Sequence, residues 1–303
     1  MGKYDKPNFI IAGISKSATS SLAVYLSQHP EIYTPNDKNP NFEPRFFVRE
    51  IIKNISNSDP LKKHILKNSI LDEKEYFDLF NNKSNHVKYG ENSVHYFNHP
   101  NESIANIKKF LGDIPIIIIL RNPIDRLISN WKYIQLDLLP LHDSLSTEEE
   151  RKRNGYNSFW LYKEQSNYSE KIKKFKESFS KIKFIIFDDF VLDPNNVLNQ
   201  CLDFLEINNF TFNTNKIYNK TEQSYYLDNK YFLKLLKNPR TYKYLSKFII
   251  KFRLYKVPYL FKLKDSYKVN RVEMYSLFKQ EIENLEKLLD KKLDIWKESF
   301  KIN

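Results

Sequence analysis

Short, uninterrupted runs of apolar residues recur along the chain and are separated by segments of mixed polarity. The clearest run is Pro115–Leu120, PIIIIL, and two others are Asn8–Ile14 and Lys183–Phe187. Such runs are typical of parallel strands that are buried on both faces. We therefore predict strands at these three places and a further one near Val87–Tyr89.

Segments between these runs carry apolar residues at helical spacing. The predicted helices are Thr19–His29, Asn101–Leu111, Ile124–Leu136, Tyr168–Phe179 and Pro194–Leu205. Strands that alternate with helices predict an α/β fold. We expect a P-loop-like three-layer sandwich, in which a central parallel sheet of about five strands is flanked by helices.

Three stretches lack a strong apolar period. The polar segment Pro35–Pro44 and the segment around Asp137–Asn154 predict loops. The segment Asn54–Asn85 is charged and predicts short pieces of helix.

From about Asn219 the chain is aromatic, basic and mostly helical in pattern. One face of its last long helix is formed by Phe278, Ile282, Leu285 and Leu288. We predict a single domain over residues 1–303, with about 219–303 as a mostly helical extension of it.

Composition narrows the class of protein. The 303 residues are 41% hydrophobic and carry a formal charge of +12, which favours anionic partners such as a nucleotide, an acidic glycan, a nucleic acid or a membrane surface. The single cysteine, Cys201, has apolar neighbours at helical spacing and is predicted to be buried. No apolar run has the length of a membrane span, and no signal peptide precedes the first strand, so we expect a cytoplasmic protein.

The first candidate site follows the first predicted strand, where residues 13–22 read GISKSATSSL. Gly13 is expected to permit a tight turn, and Lys16 supplies a cation. Hydroxyls and amides of the first helical turn, together with Lys16, form a cradle for a phosphate group. The spacing differs from the G-x-x-x-x-G-K-[ST] loop of nucleotide triphosphatases, which argues against an ordinary ATPase or kinase.

The second candidate site follows the run PIIIIL, where residues 120–129 read LRNPIDRLIS. Arg121 leaves the end of a central strand, the edge at which open α/β sheets usually bind ligands. Ser129 lies one turn after Asp125 on the predicted helix. An arginine and a hydroxyl at this edge are a plausible clamp for a second phosphate.

These two motifs, in this order and each after a strand, resemble those of the sulfotransferases that use 3′-phosphoadenosine 5′-phosphosulfate (PAPS). The resemblance implies that Arg121 and Ser129 bind the 3′-phosphate, that no metal is needed, and that the product is 3′-phosphoadenosine 5′-phosphate (PAP). It implies that the 5′-phosphosulfate is bound by Lys16, Ser17, Ala18, Thr19, Ser20 and Ser21. Ala18 departs from the family, which usually has glycine there.

The resemblance also suggests a general base. Family members that act on heparan sulfate use the glutamate of an E-x-x-F-F motif, and residues 43–47 read EPRFF. Glu43 is therefore the predicted base, and Lys16 the residue that stabilises the leaving phosphate. The rival bases are His86, His95 and His99, none of which lies in a distinctive motif.

The segment YGENSVHYF, residues 89–97, resembles the stretch that lines the acceptor side of the family's cleft. Its candidate residues are Asn92, Ser93 and His95. Asn92 stands where heparan-type enzymes commonly have lysine, which weakens the expectation of a heparan-like acceptor. The family's KGR loop is absent, and the basic segment Lys262–Arg271 occupies a comparable place.

The sequence therefore predicts a sulfotransferase that acts on a hydroxyl or amine of a carbohydrate, a glycolipid or another small hydroxylated acceptor. A phosphate-loop kinase and a non-catalytic basic module that binds anions are the alternatives. Lysine and arginine are spread along the chain without a nucleic-acid-binding motif, so no nucleic-acid partner is expected.

Overall fold

A computed structural model describes residues 6–35, 39, 42–81, 86–216, 223–229, 233–234, 236–237, 239–257 and 260–298. These residues divide into two compact units. The first unit contains Met1–Lys53, Leu66–Asn122 and Tyr168–Lys220, and the second contains Asn54–Ile65, Pro123–Asn167 and Thr221–Asn303. The start of the predicted extension, residues 219–222, lies outside the described residues, and the single-domain organisation stays a prediction.

A five-stranded parallel sheet forms the centre of the first unit. Its strands are Phe9–Ile11 (β1), Ile32–Tyr33 (β2), Lys88–Asn92 (β3), Ile116–Leu120 (β4) and Ile182–Ile186 (β5). Their order across the sheet is β2-β3-β1-β4-β5, and every pairing is parallel. This arrangement confirms the predicted α/β fold, although β2, with only two residues, was not predicted.

Sequence order turns back between β1 and β4. The chain passes from β1 to β2 and β3 on one side of β1, and then adds β4 and β5 on the other side. Ligands of open α/β sheets bind at such a switch point, beyond the carboxyl ends of the strands. The segments that follow β1 and β4 are therefore the first place to look for a site.

The described chain contains sixteen α-helices. In chain order they are Thr19–Leu26 (α1), Arg49–Lys53 (α2), Lys62–Lys67 (α3), Glu73–Asp78 (α4), Val94–Asn98 (α5), Pro100–Leu111 (α6), Pro123–Tyr133 (α7), Leu141–Ser146 (α8), Glu148–Arg153 (α9), Tyr162–Ser166 (α10), Ser169–Ser178 (α11), Phe187–Leu192 (α12), Pro194–Phe204 (α13), Pro239–Lys251 (α14), Arg271–Leu289 (α15) and Asp294–Glu298 (α16). Short 3₁₀ turns lie at Phe46–Val48, Ser158–Trp160, Leu254–Lys256 and Lys264–Ser266.

Apolar residues pack on both faces of the sheet, as the continuous runs predict. All five residues of β4 are fully buried. Helices α1 and α13 contribute Leu22, Leu26 and Leu198 to one core cluster, which also contains Cys201. Burial raises the pKa of the Cys201 thiol to about 12, so this cysteine is a packing residue, as predicted.

The second unit corrects one prediction. Residues 137–154 are not a loop, because they contain α8 and α9. Both helices are six residues long and mostly polar, so they show little apolar period, yet Leu141 and Leu145 are buried. Two strands, Tyr225–Leu227 (β6) and Phe261–Leu263 (β7), add an antiparallel pair to the mostly helical C-terminal part.

The carboxylate of Asp137 is the centre of a buried polar network in this unit. It accepts hydrogen bonds from Arg151 at 3.0 and 3.2 Å and from the Tyr162 hydroxyl at 2.6 Å, and the Tyr242 hydroxyl, which shares its proton with the Leu136 carbonyl oxygen, lies 3.2 Å away. Burial alone raises the pKa of Asp137, but Arg151 and Lys264 outweigh it and hold this pKa below its usual value. Asp137 is therefore a buried, ionised and fully partnered group.

Across the described ranges, no helix is both long enough and apolar enough to span a bilayer.

Candidate functional site

The loop between β1 and α1 turns at residues other than the predicted one. Gly13 does not have a positive φ, whereas Lys16 and Ala18 do, at 69° and 64°. Gly13 is required for packing instead, because a Cβ there would lie 2.3 Å from Cγ2 of Thr19 and 2.8 Å from Cγ2 of Ile119. The prediction that Gly13 makes the turn was wrong, since the tight space before α1, and not the backbone angle, excludes a side chain.

Polar groups of this loop are buried but not all satisfied. Ser17 is fully buried, and its Oγ has no hydrogen-bond partner among the residues that the structure describes. Thr19, Ser20 and Ser21 form the first turn of α1 and are also buried. Left-handed residues within such a turn are typical of backbone concavities that bind anions, and a helix N-terminus adds its own amides.

Lys16 and Arg121 lie together at the switch point of the sheet. The Arg121 Nη1 donates a hydrogen bond to the carbonyl oxygen of Lys16 at 2.8 Å, and its guanidinium lies 4.4 Å from the ring centre of Phe187. Burial, and then the charge of Arg121, lower the pKa of Lys16 to about 8. Each of two neighbouring cations disfavours the charged form of the other, and a bound anion stabilises the charged form of both.

Glu43 lies in a second polar cluster of the first unit. Its Oε2 is 3.0 Å from Nη2 of Arg45 and 3.6 Å from Nδ1 of His95. The carboxylate also accepts the backbone N–H of Val94, the first residue of α5. Burial raises the pKa of Glu43, but Arg45, His95 and the Val94 amide together lower it below its usual value, so Glu43 is ionised.

Arg45 holds this cluster together. It adopts a φ of 56°, donates from Nε to Nδ1 of His95 at 3.1 Å and donates from Nη1 to the carbonyl oxygen of Asn68 at 2.8 Å. The rings of Phe46 and Phe47, which follow Arg45, are fully buried and anchor the segment. Sequence reasoning did not select Arg45, because it lies at a variable position of the E-x-x-F-F pattern.

The three histidines that compete with Glu43 as base lie in different surroundings. Burial lowers the pKa of His95, and burial together with His95 and Lys171 lowers the pKa of His99 to about 3, so both rings are neutral. The two rings are 6.5 Å apart. His86 instead packs 5.7 Å from the Tyr33 ring and 6.3 Å from the Tyr89 ring.

The carboxyl end of β3 carries further buried polar atoms. Asn92 and Ser93 are fully buried, and neither the amide of Asn92 nor the hydroxyl of Ser93 has a hydrogen-bond partner within the described part of the chain. Strand β3 ends at Asn92 and pairs with β1, so Asn92 and Ser93 lie at the end of the strand next to the one that leads into the Lys16 loop. This end of the sheet therefore offers unused hydrogen bonds on two adjacent strands.

Glu91 is a buried carboxyl that the sequence did not mark as special. The hydroxyls of Tyr76 and Tyr96 donate to its Oε1 at 3.1 and 2.6 Å. Burial raises the pKa of Glu91 to about 8, so this side chain is neutral at pH 7. The only sequence signal was its place in the stretch YGENS.

Ser129 lies on α7, in the second unit. One turn earlier, Asp125 forms an ion pair of 2.7 Å with Arg271. Lys264, in the basic segment Lys262–Arg271, is not solvated, because its ammonium donates to the carbonyl oxygens of Trp131 at 2.6 Å and Ile134 at 2.8 Å. The role of Ser129 stays a prediction.

Among the described residues, no three His, Cys, Asp or Glu side chains are placed so that they can hold a metal ion.

Known proteins resemble the chain over most of its length. The profile of the sulfotransferase family matches residues 7–211. The crystal structure of a sulfotransferase from Alicyclobacillus acidocaldarius has a TM-score of 0.72 and 27% identity, and the match covers 97% of this chain and 99% of that one.

A more distant relative is the membrane-associated sulfotransferase kil1 of Dictyostelium discoideum, which is 26% identical over 127 residues, or 42% of this chain. The matched part spans 23% of that relative's length. The family match and the shared fold agree with the paired motifs of the sequence, and the chain belongs to the sulfotransferase family.

Proposed function

We propose that this sulfotransferase takes its sulfuryl group from PAPS and transfers it to a hydroxyl or amine of a carbohydrate or glycolipid. The observation that carries the proposal is the contact of Arg121 with the Lys16 backbone at the switch point, next to the buried Ser17 hydroxyl, which has no hydrogen-bond partner among the described residues. Two cations and a buried hydroxyl at one point of the sheet fit the phosphate groups of such a donor.

The loop residues fit the donor in a specific way. The amides and hydroxyls from Ser17 to Ser21 would hold its 5′-phosphosulfate, while Arg121 and, by the family resemblance, Ser129 would hold its 3′-phosphate. When bound, PAPS supplies an SO₃ group on a phosphate that is a good leaving group. Lys16 neutralises the negative charge at that phosphate, which is the contribution expected of a preorganised cation.

Glu43 is the proposed general base. Its carboxylate is ionised and is held in place by Arg45 and by the Val94 amide. It would accept the proton of the acceptor hydroxyl as the new S–O bond forms. His95 is neutral, but its Nδ1 already accepts the hydrogen bond from Arg45, which favours Glu43 over this histidine.

Candidate acceptor contacts are Asn92, Ser93 and His95. Their polar atoms are buried, and an acceptor that carries several hydroxyls would satisfy the amide of Asn92 and the hydroxyl of Ser93. This supports a polyhydroxylated acceptor such as a sugar, and a smaller hydroxylated molecule would use fewer of these groups.

The test is transfer of ³⁵S from labelled PAPS to a panel of glycans and glycolipids, with wild type, Glu43→Gln and His95→Asn. We expect Glu43→Gln to lower turnover by about 10²–10⁴, the usual contribution of a general base, while PAP binds as in wild type. Wild-type turnover in Glu43→Gln, with loss in His95→Asn, would move the base to the histidine. No labelled product with any acceptor would contradict the proposed substrate class.

We also propose the cytoplasm as the location of the protein, from the sequence pattern alone. Fractionation of cells that express the tagged full-length chain tests this, and recovery outside the cell would contradict it.

A further inference from the structure

The helix α14 and the residues that follow it, up to Val257, form the most basic stretch of the second unit. Residues 239–257 contain six Lys and Arg residues and no Asp or Glu. Helix α14 is anchored on its inner side, where Ser246 is fully buried and the Tyr242 hydroxyl donates to the carbonyl oxygen of Leu136 at 2.6 Å. The opposite, outer side of α14 carries the exposed side chains described next.

Two rows of side chains run along that outer side. Residues four apart lie above one another on a helix, so positions i, i+4 and i+8 form a row. The apolar row is Tyr244, Phe248 and Phe252, and the basic row, displaced by one residue, is Lys243, Lys247 and Lys251. We call these six residues the basic aromatic face.

The apolar row is exposed to an unusual degree. Tyr244, Phe248 and Phe252 have 73%, 52% and 56% of their surface accessible, and Leu254 and Val257, which follow in sequence, are also exposed. The rings of Phe248 and Phe252 lie 4.7 Å apart, so they form one continuous apolar surface. Contiguous exposed apolar patches with a polar rim mark interaction surfaces.

Within the described residues, none of the three lysines of the basic row forms an ion pair, and the Lys243 ammonium donates a hydrogen bond to the carbonyl oxygen of Asn57. Partial burial, followed by the charges of Lys243 and Lys63, lowers the pKa of Lys247. The nearby carboxylate of Asp59 acts in the opposite direction, but it is buried and accepts hydrogen bonds from Asn157 and Trp160. Three lysines therefore gather beside the apolar row with a net positive field, which an anionic surface complements.

We propose that the basic aromatic face docks the protein reversibly on the surface of a bilayer that contains anionic phospholipids. A helix of this kind lies in the plane of the interface, with its aromatic row at the boundary between headgroups and acyl chains. Lys247 and Lys251 then face the phosphates of the lipids, and the charge of each lysine in the row adds to the electrostatic attraction. This surface shares no residue with the phosphate-binding loop, so the proposal does not depend on the donor or the acceptor.

A second copy of the chain and a single-stranded nucleic acid fit the basic aromatic face less well than an anionic bilayer does. A second copy of the chain would bring the same lysine row against this one, with no Asp or Glu in residues 239–257 to pair with it. A single-stranded nucleic acid would pair with the lysines, but Phe248 and Phe252 already contact each other, so no base can enter between their rings.

The test is cosedimentation of the full chain with vesicles of phosphatidylcholine alone and with vesicles that contain 30 mol % phosphatidylglycerol. We expect binding to the anionic vesicles at low salt and loss of binding at high salt. The double variant Phe248→Ser/Phe252→Ser should weaken binding at least about tenfold, because it removes two large apolar side chains from the interface. Lys247→Glu/Lys251→Glu should weaken it by at least about 25-fold, at roughly fivefold for each lysine.

Matched controls are Leu192→Ser, an exposed apolar residue of the first unit, and Lys279→Glu, an exposed lysine of α15. Both should bind vesicles as wild type does. Equal binding to neutral and anionic vesicles, wild-type binding by both double variants, or no binding by wild type would overturn the proposal. So would retention on poly(U) without vesicle binding, or a dimer in sedimentation velocity that Phe248→Ser/Phe252→Ser dissociates.

Discussion

In the second unit, the buried carboxylate of Asp137 has a hydrogen-bond donor for each oxygen, including a two-pronged contact from Arg151. In the first unit, the buried polar atoms of Ser17, Asn92 and Ser93 have no hydrogen-bond partner within the described residues. Both regions are polar and buried, yet the protein itself supplies the hydrogen-bond partners of the Asp137 carboxylate and, over its described ranges, does not supply those of the atoms in the first unit. An unpartnered buried polar group costs about 1–3 kcal/mol, so it persists where a ligand will supply the partner.

The charged side chains of the two regions differ in the same way. The cation Arg151 lies beside an anion, whereas Lys16 lies beside a second cation, Arg121. The first arrangement stabilises the fold and the second does not. Polar burial by itself therefore does not identify a site, and the stronger indicator is unpartnered polar atoms at one edge of the sheet together with two neighbouring cations.

The largest expected effect on stability comes from removing one partner of the Asp137 network. Arg151→Met leaves Asp137 as an uncompensated buried charge, which we expect to lower the free energy of unfolding by about 3–5 kcal/mol. Urea unfolding followed by circular dichroism measures it. Arg153→Met, an exposed arginine of the same helix, is the matched control and should change stability by less than about 0.5 kcal/mol. Equal effects of the two variants would show that the Asp137 network is not what stabilises this unit.

The next prediction concerns the incomplete site and its dependence on pH. Lys16 has a pKa of about 8 in the free protein, and a bound phosphate favours its protonated form and raises that pKa. Below pH 8 the lysine is already charged, so affinity is constant; above pH 8 binding must take up a proton, so the affinity for PAP falls by up to about tenfold per pH unit. Calorimetric titrations between pH 7 and 9.5 measure it.

Lys16→Arg is the control for this pH dependence, because arginine does not titrate in that range. Its affinity for PAP should be weaker or similar but flat from pH 7 to 9.5. The same slope in wild type and Lys16→Arg would assign the proton to another group.

The smallest expected effect concerns the turn of the loop. Ala18 has a φ of 64°, which is unfavourable for a residue with a Cβ, so Ala18→Gly should stabilise the protein by up to about 1 kcal/mol. The control is Ala23→Gly in the interior of α1, which should destabilise by about 1 kcal/mol. Thermal unfolding of both variants tests the pair. Destabilisation by both would mean that glycine is not favoured at position 18.

The fold was predictable where a buried element produces an uninterrupted run, or a regular period, of apolar residues in the sequence. The run PIIIIL marked β4 because both faces of that strand are covered, and helices α6, α7, α11 and α13 were predicted to within a few residues at each end. Strand β2 has only two residues, and α8 and α9 have six each, which is too short for an apolar period to appear. Their positions depend on tertiary packing, and the sequence pattern does not contain that information.

The candidate site was predictable only in part: the sequence selected the two cations that the structure brings together, but not the geometry of the loop that carries Lys16. Spacing and residue type selected Lys16 and Arg121, and the family resemblance selected Glu43. Their roles stay predictions, and the turn that was assigned to Gly13 is made by other residues, since the structure uses Gly13 for close packing. Arg45 and His95 are 50 residues apart in sequence, and their contact arises only when α5 packs against the Glu43 segment. Such long-range contacts are set by the fold as a whole.

The most direct test of the central claim is calorimetric titration of the purified protein with PAP, 5′-AMP and ATP in the absence of magnesium. We expect clear preference for the 3′-phosphorylated nucleotide, with the preference lost in Arg121→Ala. Equal affinity for PAP and 5′-AMP, or a preference for PAP that persists in Arg121→Ala, would contradict the assignment of the incomplete polar region beside β1 and β4 as the donor site.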